Sequence, residues 1–140
     1  MIAVLVIAST VSLSPTIEVK DEVVLRWQQG LMPTSLPVLE LLRRCARNNQ
    51  KVANFSRPLE LRIVRQDWLN KAFDKAAEQR RTGRYLKANQ GHSALIYLAQ
   101  GEQLLLSLAH EWLHHLAELS GIFWSEAEVE KRALKCVTAR

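Results

Sequence analysis

The stretch from Ser93 to Leu119 constrains the fold more than any other part of the chain. Ala94-Leu95-Ile96-Tyr97-Leu98 is an apolar run of strand length, preceded by a turn signal at Asn89-Gln90-Gly91. After Gly101, Glu102 to Leu119 is a strongly apolar segment of helical length, stopped by Ser120-Gly121. An apolar strand feeding directly into an apolar helix points to a packed mixed domain. The 140 residues fit one compact domain and leave no room for two ordinary ones. With 48% hydrophobic and 24% charged residues, wholesale disorder is excluded.

The remaining elements follow from local signals. Ser35 caps a helix with Pro37 in its first turn, and Val38, Leu39, Leu41, Leu42, Cys45 and Ala46 give it an apolar stripe that ends near Asn48-Asn49. Leu59, Leu61 and Ile63 alternate with Glu60, Arg62 and Arg65, the period-2 pattern of a half-buried strand. Asp67 caps a helix running to about Arg80, with Trp68, Leu69, Ala72, Phe73 and Ala76 inward. Arg84 to Ala88 and Ser93 to Ala99 read as two strands joined by a turn, and Ser125 opens a last helix through a Ser-x-x-Glu capping box with Glu128. Thr16 to Gln29 is open between strand and short helix. The class is α+β with a small antiparallel or mixed sheet, residues 1–34 forming an N-terminal segment and residues 35–140 the main domain.

Charge and termini narrow the function classes. The net charge of +5, from 19 basic and 14 acidic residues, permits an acidic or nucleic-acid partner but is mild for a dedicated nucleic-acid binder. Arg80, Arg81, Arg84 and Lys87 read as a solvated face. The longest apolar run, Met1 to Ala8, is far too short to span a membrane. It has no basic residue ahead of it, so Ile2 to Ile7 reads as a buried strand rather than a signal peptide, and a cytoplasmic location is expected. Cys45 and Cys136 are too few for a disulfide framework, lack CxxC spacing, and are expected as buried small hydrophobes.

Three of the four histidines fall in His110-Glu111-Trp112-Leu113-His114-His115. His110 and His114, four residues apart on a helix, project from one face and can meet a single Zn²⁺ at about 2.0–2.1 Å. Glu111 lies about 100° around the helix, where it cannot easily be a ligand but can reach a water on the metal. HExxH therefore packs two ligands and a general base into five residues. His115 is placed at the surface or behind the ligands, and His92, after a turn glycine, in solvent. Trp68, Trp112, Tyr97 and the Leu104 to Leu108 run are expected as core.

On HEWLH, with an apolar strand before its helix and a capped helix after it, the chain resembles the zincin metallopeptidases from about Leu59 to Val137. The resemblance implies hydrolysis of a peptide or protein substrate with a zinc cofactor. It also implies that the strand before the active-site helix, with Leu95, Ile96 and Tyr97, is the sheet edge on which substrate lies. The metzincin continuation is absent, because Ala117 and Ser120 stand where that branch has Gly and His. The motifs of peptide deformylase are absent too. The gluzincin branch takes its third ligand, a Glu, from the next helix, and the short spacing here is closest to the small minigluzincins. Glu118 sits about 12 Å along the axis from His110 and cannot share its metal. Folding the last helix back on the first puts Glu130 level with His114, bordering the stripe of Val129, Ala133, Leu134 and Val137. Glu128 falls instead among Lys131, Arg132 and Lys135. Glu130 is the expected third ligand, and a tighter turn would bring Glu126 there instead. Two other function classes stay open at this stage. One is a zinc-fold protein with a structural or relic site; the other is a basic module binding protein or nucleic acid.

Overall fold

The computed structural model describes residues 11–20, 23–33, 35–49, 59–73 and 82–138. The expected strand at Ile2 to Ile7 and the far half of the helix expected to reach Arg80 lie outside them. The elements in chain order are β1 (Leu13–Lys20), β2 (Val23–Gln28), α1 (Ser35–Asn48), β3 (Leu59–Val64), α2 (Gln66–Phe73), β4 (Gly83–Leu86), β5 (Ala94–Ala99), α3 (Leu104–Ser120) and α4 (Glu126–Thr138). Thr16 to Gln29, ambiguous in pattern, is an antiparallel strand pair. Its second strand, β2, buries Val23, Leu25 and Trp27 on one face.

One five-stranded mixed sheet runs in the order β1-β2-β3-β5-β4. The β2–β3 and β3–β5 pairs are parallel, and the β1–β2 and β4–β5 pairs are antiparallel. Helices cover both faces, so this is an α+β domain of three layers. Against one face, Leu25, Trp27, Leu61, Ile63, Ile96 and Leu98 pack with Val38, Leu41 and Cys45 of α1, Leu108, Trp112 and Leu116 of α3, and Val129 and Ala133 of α4. Against the other, Leu69 of α2 packs with Val64, Leu95, Tyr97 and Ala99. Each such Leu or Ile side chain contributes about 1.5–3 kcal/mol by leaving water.

This layering corrects one expectation. β5 is not a sheet edge: it lies between β3 and β4, and all six of its residues are buried. The reason is visible in its composition, because a strand covered on both faces has no polar alternation to show. Leu95, Ile96 and Tyr97 therefore cannot line a substrate rail. Tyr97 stacks on Trp68 at 5.4 Å between centroids and accepts a hydrogen bond from Arg62 Nη1 at 2.8 Å, on the α2 side of the sheet. Burial raises its phenol pKa, with Arg62 opposing the shift. The edge strand on this side of β5 is β4, the short one, and β1 lies at the opposite edge.

The two C-terminal helices are set by their junction. Gly121 closes α3 in the left-handed conformation, φ 65°, and the Ile122 N–H reaches back to the Ala117 carbonyl at 3.0 Å. Ser125 Oγ accepts from the Glu128 N–H at 3.2 Å and so starts α4. The Glu128 carboxylate turns to Arg132 Nε at 2.7 Å. Cys45 and Cys136, expected as separate buried thiols, are buried but joined in a disulfide between the C-terminal ends of α1 and α4. Of the basic set, Arg80 and Arg81 lie outside the described residues. Arg84 lays its guanidinium over Phe73, 5.7 Å from the ring centre. No helix among the described residues is long and apolar enough to cross a membrane.

Candidate metal centre

Helix α3 divides its residues by side. Leu104, Leu108, Trp112, Leu113 and Leu116 face the core, while Ser107, His110, Glu111 and His114 fall on the i, i+3, i+4, i+7 stripe along its other side. That second stripe borders an open cleft of about 870 Å³ between α3, α4 and the start of β4, walled also by Thr82, Gly83, Glu126 and Glu130. Ser107 is buried against β4, while His110, Glu111 and His114 are half-buried and converge on the cleft, which makes the stripe a site candidate.

His110 and His114 turn their Nε2 atoms to within 3.2 Å of each other, with ring centres 4.8 Å apart. The carboxylate that meets them is Glu126. Its Oε2 lies 3.2 Å from His110 Nε2 and its Oε1 lies 3.0 Å from His114 Nε2. Glu130 borders the same cleft one helical turn further on and is not part of this three-residue cluster. The physical reason is the junction: the left-handed Gly121 turns the chain sharply, so the first residue of α4, rather than its second turn, comes level with the histidines. The sequence signal for Glu126 existed, since Glu126 and Glu130 share a helix face, and only the offset of one turn separates them.

The donor set fits a divalent cation. Taking one ligand atom from each residue, the three donors lie within 4.8 Å of one another, close enough to converge on one ion. Two neutral imidazoles that both aim Nε2 at one carboxylate must each offer an N–H to it, and then neither can accept from the other. Around a cation the same three groups would each turn a lone pair towards it. His114 has its pKa lowered, first by burial and further by His110, with Glu126 pulling the other way. The net direction favours the neutral imidazole, the form that ligates metal. His110, His114 and Glu126 form a candidate metal site.

The surroundings brace this group. Gly83 of β4 packs so close to α3 that a Cβ there would lie 3.1 Å from Glu111 Cγ and 3.3 Å from Ser107 Cβ. Thr82 Oγ1 and Ser107 Oγ make a short hydrogen bond beside it. His115 is not at the surface: it is only 4% exposed, and its Nδ1 meets Tyr85 Oη at 3.0 Å, tying α3 to β4. The Tyr85 phenol is pushed up to about 12 by burial, helped by Glu118, and so stays protonated. His92 sits apart, in the turn before β5, with Nδ1 against the Ser93 carbonyl at 2.6 Å.

Comparison with protein-family models, with curated proteins and with solved structures finds no match. The resemblance to the zincins therefore stands on the site itself, two histidines four apart on one helix and a glutamate from the next.

Proposed function

We propose that the chain is a zinc-dependent hydrolase of peptide bonds, with His110, His114 and Glu126 holding the metal and Glu111 transferring protons. The observation that carries this reading is the meeting of both HEWLH imidazoles with one carboxylate of the following helix, beside a cleft that Glu111 also borders. Two imidazoles and a carboxylate, with the remaining side open, are the donor set of a catalytic rather than a structural zinc site. When bound, zinc supplies Lewis acidity that polarises a carbonyl and acidifies water. Glu111 accepts the proton of the attacking water and later delivers it to the departing amine nitrogen. An extended substrate would lie in the cleft, and β4, which pairs with β5 alone among the described residues, would offer the backbone groups of Gly83–Leu86 to it.

The test separates the ligands from the base. Glu111→Gln should keep zinc and fold while hydrolysis of a denatured-protein or peptide-library substrate falls by about a hundredfold or more. Loss of zinc from Glu111→Gln as complete as from His110→Ala would assign Glu111 to the metal and remove the base. Parent and variant with equal activity would reduce the site to metal binding alone.

A further inference from the structure

The metal site draws its third arm from a helix that is anchored far from it. Glu126 is the first residue of α4 and its side chain is 70% exposed, so apart from the two imidazoles it meets its position is set by the helix that carries it. The anchors lie further along the helix, on α1. Cys136 is bonded to Cys45, both fully buried, with their Cα atoms 5.0 Å apart across 91 residues of chain. One turn before it, Arg132 donates from Nη1 to Asn49 Oδ1 at 2.8 Å, and Asn49 Nδ2 in turn donates to the Cys45 carbonyl at 2.9 Å. The same guanidinium holds Glu128 through Nε and lies over Trp124, 4.3 Å from its ring centre, in the α3–α4 junction. One arginine and one cystine thus tie the end of α1, the junction and α4 together.

We propose that Cys45, Cys136, Asn49 and Arg132 are positioning residues for the metal site, so that metal affinity depends on the redox state of the cystine. The proposal rests on the reading of His110, His114 and Glu126 as metal ligands. The magnitude follows from leverage. Glu126 lies ten residues from Cys136, about 15 Å along the helix, so a tilt of about 4° at the cystine moves its carboxylate by about 1 Å. Ligand distances tolerate only about 0.2 Å. The buried stripe of α4, Val129, Ala133 and Cys136, is made of small side chains that present little relief against such a tilt. Reduction by a small dithiol breaks one S–S bond and delivers two electrons and two protons, leaving two thiols on the protein and a disulfide on the dithiol.

The experiment measures Co²⁺ and Zn²⁺ affinity of the full chain by competition with a chromophoric chelator. It compares oxidised protein with protein reduced by dithiol, the dithiol then removed and thiols counted. Circular dichroism follows the fold. Reduced protein should keep its helicity, bind about ten- to a hundredfold more weakly, and show a Co²⁺ spectrum shifted towards that of Glu126→Ala. The Cys45→Ser/Cys136→Ser double variant should match it and ignore dithiol, and Arg132→Ala in oxidised protein should shift the spectrum the same way. Equal affinity and spectrum in oxidised and reduced protein would overturn the proposal while leaving the metal site intact. Unfolding on reduction, with Arg132→Ala unchanged from parent, would assign the cystine to global stability and overturn its positioning role. Oxidised protein that takes up neither ion would sink the metal reading itself.

Discussion

Gly83 shows how tightly single residues are constrained around this site. At Gly83 β4 runs close against α3, and a Cβ would press first on Glu111 Cγ, at 3.1 Å, and then on Ser107 Cβ, at 3.3 Å. Gly83→Ala should therefore leave zinc binding close to parent while lowering turnover several-fold, since Glu111 must give by a few tenths of an ångström and a displacement of about 1 Å at a reacting group costs about a hundredfold. Steady-state kinetics beside zinc content checks this, and a fall in both together would mean that the strand, not Glu111, had moved. The two acids of α4 that border the cleft give a second contrast. Glu126→Ala should weaken zinc about ten- to a hundredfold or more, whereas Glu130→Ala, one turn away in the same cleft, should change affinity little; isothermal titration of both variants decides between the two acids. His110, Glu111 and His114 were legible in the sequence because their relation is local, fixed by 3.6 residues per turn. The third member of the candidate site depends on how two helices meet, and one turn of offset, about 5 Å, lies below the resolution of helix arithmetic.

At the scale of elements, the α3–α4 junction matters most, because it sets the level at which α4 presents its acids. Gly121 adopts φ 65°, which an L side chain enters at a cost of about 1–2 kcal/mol. Gly121→Ala should lower the unfolding free energy by about that amount in a denaturant titration, and a variant as stable as parent would show that the junction relaxes freely. Where periodicity was clean the sequence and structure agree: α1, β3, α3 and α4 fall within a residue or two of the expected bounds. Two elements were harder, for different reasons. β1 and β2 carry too few turn signals to separate strand from helix. β5 was found but misplaced as an edge, although its unbroken apolar run is the mark of a strand covered on both sides, and the half-polar, shorter β4 is what an edge looks like.

For the whole molecule, the Cys45–Cys136 link was not legible at all, since no local pattern joins residues 91 apart. It follows only once α1 and α4 are seen to end side by side. Disulfides persist in oxidising compartments, so this one lends no support to the cytoplasmic location expected from the N-terminus. The site also couples to folding, because His110, His114 and Glu126 come together only when α4 packs on α3. Zinc that binds the folded chain alone should add about 2.7 kcal/mol of stability at a free concentration a hundred times its dissociation constant. The most direct measurement is the zinc content of the purified chain, by elemental analysis after dialysis against micromolar zinc. About one ion per chain, lost in both His110→Ala and Glu126→Ala, is the predicted result. A parent chain that retains no zinc, and whose melting temperature zinc leaves unmoved, would contradict the account at its centre.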